Sequence, residues 1–232
     1  MTAPLPGGVA LSALQVYPWE AADGICGGSP HMHLCCTEAY IVTGGAGRLQ
    51  TLTTSGFAEQ SLGPGDVVWF TPGTIHRAVN DGGLEILVLM ENSGLPESGD
   101  AVLTLPPDRL ADRASYDRAI DLAGPDDRPS PDRARERRDL AVAGFTELAA
   151  GDGAALAAFH SAAVRLTQPF LDRWRERWAA GAGAAAARTA DRIEALRGGD
   201  GSHLAHAQVH RQDRPPQEVL GMCGRLAPYK AS

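Results

Sequence analysis

The sequence predicts a mainly β domain followed by an α-helical C-terminal extension, and three observations predict it. Between about residues 10 and 105, short alternating apolar runs are broken by turn residues. A proline-rich break follows at Leu105-Pro106-Pro107. Beyond about residue 131 the apolar spacing changes from two to three or four. Many short strands at this spacing indicate an antiparallel sandwich or barrel rather than a βαβ fold.

The strand-like runs are Leu11 to Tyr17, His31 to Cys36, Glu38 to Thr43, Arg48 to Leu52, Val67 to Phe70, His76 to Val79 and Leu84 to Met90. Gly27-Gly28, Gly44-Gly45, Gly63-Pro64-Gly65, Pro72-Gly73 and Asp81-Gly82-Gly83 separate them as expected turns. The expected division is a β domain over 1–108 and an extension over 109–232. The extension comprises a linker over 109–130, helices over about 131–198 and a strand-like segment over 219–226 that returns to the sheet edge. Asp126 to Asp139 holds five acidic and five basic residues, which reads as a solvated mixed surface. Leu156, Phe159, Ala163, Leu166, Phe170, Trp174 and Trp178 fall on one helical stripe, with Pro169 expected to kink or split it. That stripe packs either on the β domain or on a second copy. A homodimer through Phe159, Phe170, Trp174 and Trp178 is the expected assembly.

The 232 residues are 44% hydrophobic and 21% charged, a globular balance. A formal net charge of -7 implies no basic face and so no nucleic-acid partner. Lys230 is the only lysine, which weighs against P-loop and Schiff-base chemistry. No run approaches the roughly 18 apolar residues of a membrane span, and the N-terminus lacks a signal-peptide pattern. The four cysteines (Cys26, Cys35, Cys36 and Cys223) form no CxxC pair and read as reduced thiols, so the cytoplasm is the expected location. Gly181 to Ala186 mimics a dinucleotide fingerprint but follows helical sequence, and reads as low complexity.

Two blocks carry chemistry. In the first, His31 and His33 lie two apart on a strand and therefore project to one face. A barrel interior accepts two imidazoles only if they are paired or ligate something. Glu38 opens the next apolar run, and His76 follows the Pro72-Gly73 turn in the second block. Three imidazoles and one carboxylate suit one divalent transition metal: Fe, Mn, Ni, Co, Cu or Zn. Tyr40 shares Glu38's face and is a candidate catalytic or substrate-binding residue, and Arg48 and Gln50 are candidates for contacting a polar substrate. His203, His206 and His210 fall on one face if their segment is helical, without a carboxylate pattern that would make a second metal site.

The blocks resemble the paired motifs of the cupin superfamily. HxH, four residues, Glu, six residues, Gly is filled by His31, His33, Glu38 and Gly45. The later Gly…PGxxH, three residues, Asn is filled by Gly65, Pro72, Gly73, His76 and Asn80. One departure is Ile25, where the pattern has a glycine six positions before the first histidine. The resemblance spans roughly Leu11 to Leu105 and implies a double-stranded β-helix, the jelly-roll barrel, with His31, His33, Glu38 and His76 as metal ligands and Glu38 as a candidate base. It further implies an enzyme acting on a small enol, keto or sugar-like substrate, with an oxygenase favoured. An isomerase, cyclase or lyase, or a non-catalytic small-molecule-binding cupin, is the alternative.

Overall fold

The structure is a computed structural model that describes residues 4–229, so Lys230 lies outside the described residues. Nine strands form its core: β1 (Ala10–Val16), β2 (His31–His33), β3 (Glu38–Thr53), β4 (Gly56–Leu62), β5 (Val67–Phe70), β6 (Ile75–Met90), β7 (Ala101–Leu103), β8 (Val219–Leu220) and β9 (Gly224–Tyr229). The main path runs β4-β3-β6-β1-β9-β8, with β5 on β3, β2 on β6, and β7 on β2. Every named pairing is antiparallel. Among the described residues no pairing joins β4 to β8, so the expected barrel is an open jelly roll rather than a closed cylinder.

Two expected turns are not turns. Gly44-Gly45 lies inside β3 and Asp81-Gly82-Gly83 inside β6, each strand being 16 residues long. Register shifts fall between Val42 and Gly44, Gly44 and Ala46, and Ala46 and Gly47, so the glycines bend a continuous ladder instead of ending it. Two long bent strands thereby serve both layers of the roll. Conversely, β4 carries no apolar alternation because Gly56 to Ser61 are exposed along the sheet edge.

Between β7 and β8 the described chain forms five α-helices: α1 (Arg113–Ile120), α2 (Pro131–Ala150), α3 (Gly153–Thr167), α4 (Leu171–Trp178) and α5 (Ala184–Arg197). The first three start at Asp112, Ser130 and Asp152, whose side chains accept from first-turn N–H groups. Pro169 sits in a 3-10 turn over Gln168–Phe170 that separates α3 from α4. Phe145 on α2, with Phe159, Ala163 and Leu166 on α3, packs against Met32, Leu52, Ile75 and Leu103 of the sheet in a second core. Phe159 and Trp174 are therefore buried within the chain, and Trp174 Nε1 donates to Ser98 O at 2.9 Å. That removes them from the surface expected for a homodimer, whereas Trp178 stays half exposed.

The solvated reading of Asp126 to Asp139 fails at two positions. Arg137 and Arg138 are buried on the inner face of α2. Arg138 donates to Trp19 O at 2.6 Å and Glu20 O at 2.7 Å, tying α2 to the loop after β1. No helix among the described residues is long and apolar enough to cross a membrane.

Candidate metal centre

β2 presents His31 and His33, the first residue of β3 is Glu38, and β6 brings His76 directly opposite His31. The Pro72-Gly73 turn sets that register. Gly73 has φ +90°, which a side chain strains to adopt, and its N–H donates to His33 O at 3.0 Å. Asn80 then staples the far end, donating to Val16 O at 2.8 Å and accepting from the N–H groups of Gly82 and Leu84. In consequence all four side chains are buried, and one ligand atom from each lies within 4.8 Å of the others.

Each imidazole is oriented by its second nitrogen. His31 Nδ1 lies 2.9 Å from Ser29 O, and His76 Nδ1 lies 3.2 Å from Thr74 O. A carbonyl only accepts, so both Nδ1 atoms carry the proton and both Nε2 atoms present a lone pair. His33 Nδ1 faces Asp100 Oδ2 at 3.2 Å. Asp100 is fully buried and also accepts from the backbone N–H groups of Leu34, Cys35 and Cys36. Outer carboxylates of this kind fix a metal-ligating histidine.

Glu38 Oε2 stands 3.1 Å from His76 Nε2 and 3.2 Å from His33 Nε2. Yet Glu38 Oε2 and His76 Nε2 are both buried without a hydrogen-bond partner. A carboxylate oxygen facing a lone pair is repulsive in a dry pocket, and a cation between them converts both into ligands. The donor set thus fits a divalent transition metal. Burial alone would raise the Glu38 carboxyl, but His76 and His33 hold it well below the usual carboxylate range. Burial would lower His33, but the neighbouring Asp100 and Glu38 carboxylates outweigh it and push the ring to about 9. Burial, with His76 and His33 nearby, holds His31 well below the ordinary range.

Tyr40 is fully buried beside this cage, with its ring 5.2 Å from Phe70 and 6.3 Å from His76. Its hydroxyl lies 3.6 Å from the thiol of Cys223, which the chain brings in from 183 positions away. Burial, with the Glu38 charge, pushes that thiol up to about 12. Arg48 pairs with Glu59 and Asp81, and Gln50 donates to Glu59 at 2.9 Å. His203 and His206 sit on an exposed 3-10 turn, and among the described residues no metal-holding group includes them or His210.

A cleft of about 400 Å³, lined among others by Thr51, Gln60, Thr71, Thr74 and Phe70, adjoins the cage. Phe70 is the shared wall, its ring centroid 4.1 Å from that of His76. The residues missed by sequence reasoning are Asp100, Cys223 and Phe70. Only Phe70, inside a predicted strand next to the second motif, carried a local signal.

No protein of curated function matches the chain. Among solved structures it is similar to the capsular polysaccharide assembling protein CapF from Staphylococcus aureus, at 18% identity over 39% of this chain and 25% of that one, TM-score 0.29. It is similar to a conserved protein with a double-stranded beta-helix domain from Klebsiella pneumoniae at 17% identity, over 35% and 64% of the two chains, TM-score 0.28. DMSP lyase DddQ from Ruegeria pomeroyi matches at 26% identity, over 37% and 40%, TM-score 0.29. This chain spans less than two thirds of the length of each. The family model described as Cupin matches residues 21–111. All four ligand positions lie within that match, and over this stretch the chain is similar to cupins.

Proposed function

We propose that the chain is a metal-dependent cupin enzyme acting on a small, oxygen-rich molecule of enol, keto or sugar-like type, with an oxygenase as the first reading. The observation that carries it is the pair of buried, unpartnered atoms, Glu38 Oε2 and His76 Nε2, converging with the other two imidazoles. A bound divalent ion there supplies Lewis-acid polarisation of a substrate oxygen and, if redox-active, a route for electrons. The adjoining cleft offers the Thr51, Thr71 and Thr74 hydroxyls and the Gln60 amide to substrate oxygens. Tyr40 and Phe70 close the cage against water. Glu38, the carboxylate nearest the converging atoms, is the residue to take a substrate proton. The proposed assembly is a homodimer and the proposed location the cytoplasm.

Elemental analysis of protein purified without added metal tests the first part. About one divalent transition metal per chain, lost in His33→Ala, is expected, and a wild-type chain that takes up no such metal would sink the reading. Substrate screening with and without oxygen tests the second, because an oxygenase stops anaerobically while an isomerase, cyclase or lyase continues. A Glu38→Gln protein that keeps both metal and full turnover refutes the proton role.

A further inference from the structure

A cleft of about 270 Å³ is lined by residues of α1, α2 and the turn before α1. Its lining includes Arg109, Arg118, Arg133 and Arg137 with a single acid, Glu136. Two of those guanidiniums are already neutralised at the rim: Arg133 by Glu136, and Arg109 by Asp108. The other two are not. Arg118 donates to Ser115 Oγ at 3.1 Å and feels the Asp112 charge, but forms no ion pair among the described residues. Arg137 donates through Nη2 to Gly221 O at 2.6 Å, and no carboxylate pairs with it among the described residues. Its Nε is buried with no partner at all, on a residue 7% exposed. A second, wider cleft shares the same two residues and is also lined by Asp117 and Asp121. Those acids are committed to Arg113 and to the Ala123 N–H.

A buried guanidinium without a counter-charge is costly, and a chain retains one where an anion completes it. The planar fork of arginine matches a carboxylate or a phosphate, and two such side chains lining one cleft define a site for one oxyanion group. We propose that the α1–α2 cleft binds a small oxyanion, carboxylate or phosphate, between Arg137 and Arg118, with Arg133 and Arg109 at the rim. The site is independent of the metal cage.

The full chain is titrated by calorimetry with inorganic phosphate and, separately, with succinate, at ionic strength held constant with chloride. Saturable binding of either anion is expected, and the tighter one names the class. Arg118→Ala, at an exposed position, is expected to weaken that binding tenfold or more, and Arg137→Gln to abolish it. Should Arg137→Gln fail to fold, Arg118→Ala decides alone. Heats that never saturate, or equal affinity in wild type and Arg118→Ala, overturn the proposal.

Discussion

Asp100 and His33 meet across 67 positions of sequence, Oδ2 to Nδ1 at 3.2 Å, and three backbone N–H groups hold the carboxylate there. Through this contact Asp100 sets the direction of His33 Nε2 toward the other ligands. Asp100→Asn cannot accept from both the ring and the Cys36 N–H. Metal affinity, read by competition with a coloured chelator, is expected to fall between about tenfold and a hundredfold. Unchanged affinity would remove Asp100 from the site.

Gly144 lies where α2 crosses the segment after β7. A Cβ there would stand 2.1 Å from Thr104 O and 2.8 Å from the Leu105 carbonyl carbon. Replacing a helix-interior glycine with alanine ordinarily stabilises by about 1 kcal/mol. Here the sign reverses, to a loss of about 1–3 kcal/mol from overpacking against backbone. Thermal melting of Gly144→Ala is expected several degrees below wild type.

Arg138 carries the loop after β1 on two carbonyls, Trp19 O and Glu20 O. Arg138→Met keeps much of the side-chain volume but strips both bonds. A cost of about 2–3 kcal/mol follows, seen as a lower denaturant midpoint at unchanged slope. A midpoint equal to wild type would mean that the loop holds itself.

Asp23 pairs with the buried Arg77 guanidinium, which also donates to Ile25 O. Burial raises the Asp23 carboxyl, but the hydrogen bond and charge of Arg77 outweigh it, and the net shift is downward. A depressed carboxyl adds stability above its unfolded pKa of about 3.9 and loses it as pH falls through the lower folded value. Wild type is therefore expected to exceed Asp23→Asn in stability at pH 7, with the gap closing below about pH 4. Equal stability of the two proteins at pH 7 contradicts the pairing.

The four ligands were legible because strand parity and two tight turns act locally. His31 and His33 share a face by spacing alone, and Pro72-Gly73 announces the entry to His76. Asp100 was not, since Ser98-Gly99-Asp100 reads as any turn until the fold brings it under His33. Arg137 and Arg138 misled for a related reason: charge counting along Asp126 to Asp139 cannot tell which arginine faces inward. The bends in β3 and β6 were mistaken for strand ends because glycine permits either, and only the partner ladder decides. Of the apolar stripe, period fixed the helix but not its partner, which for Phe159 proved to be the chain's own sheet.

β9 lies between β1 and β8, pairing Leu11 to Val16 with Tyr229 to Gly224. During synthesis the free flank of β1 is consequently exposed until that last strand has emerged from the ribosome, long after the metal ligands have. Stalled nascent chains ending before Gly224 should be cleaved by protease far faster than those released at full length.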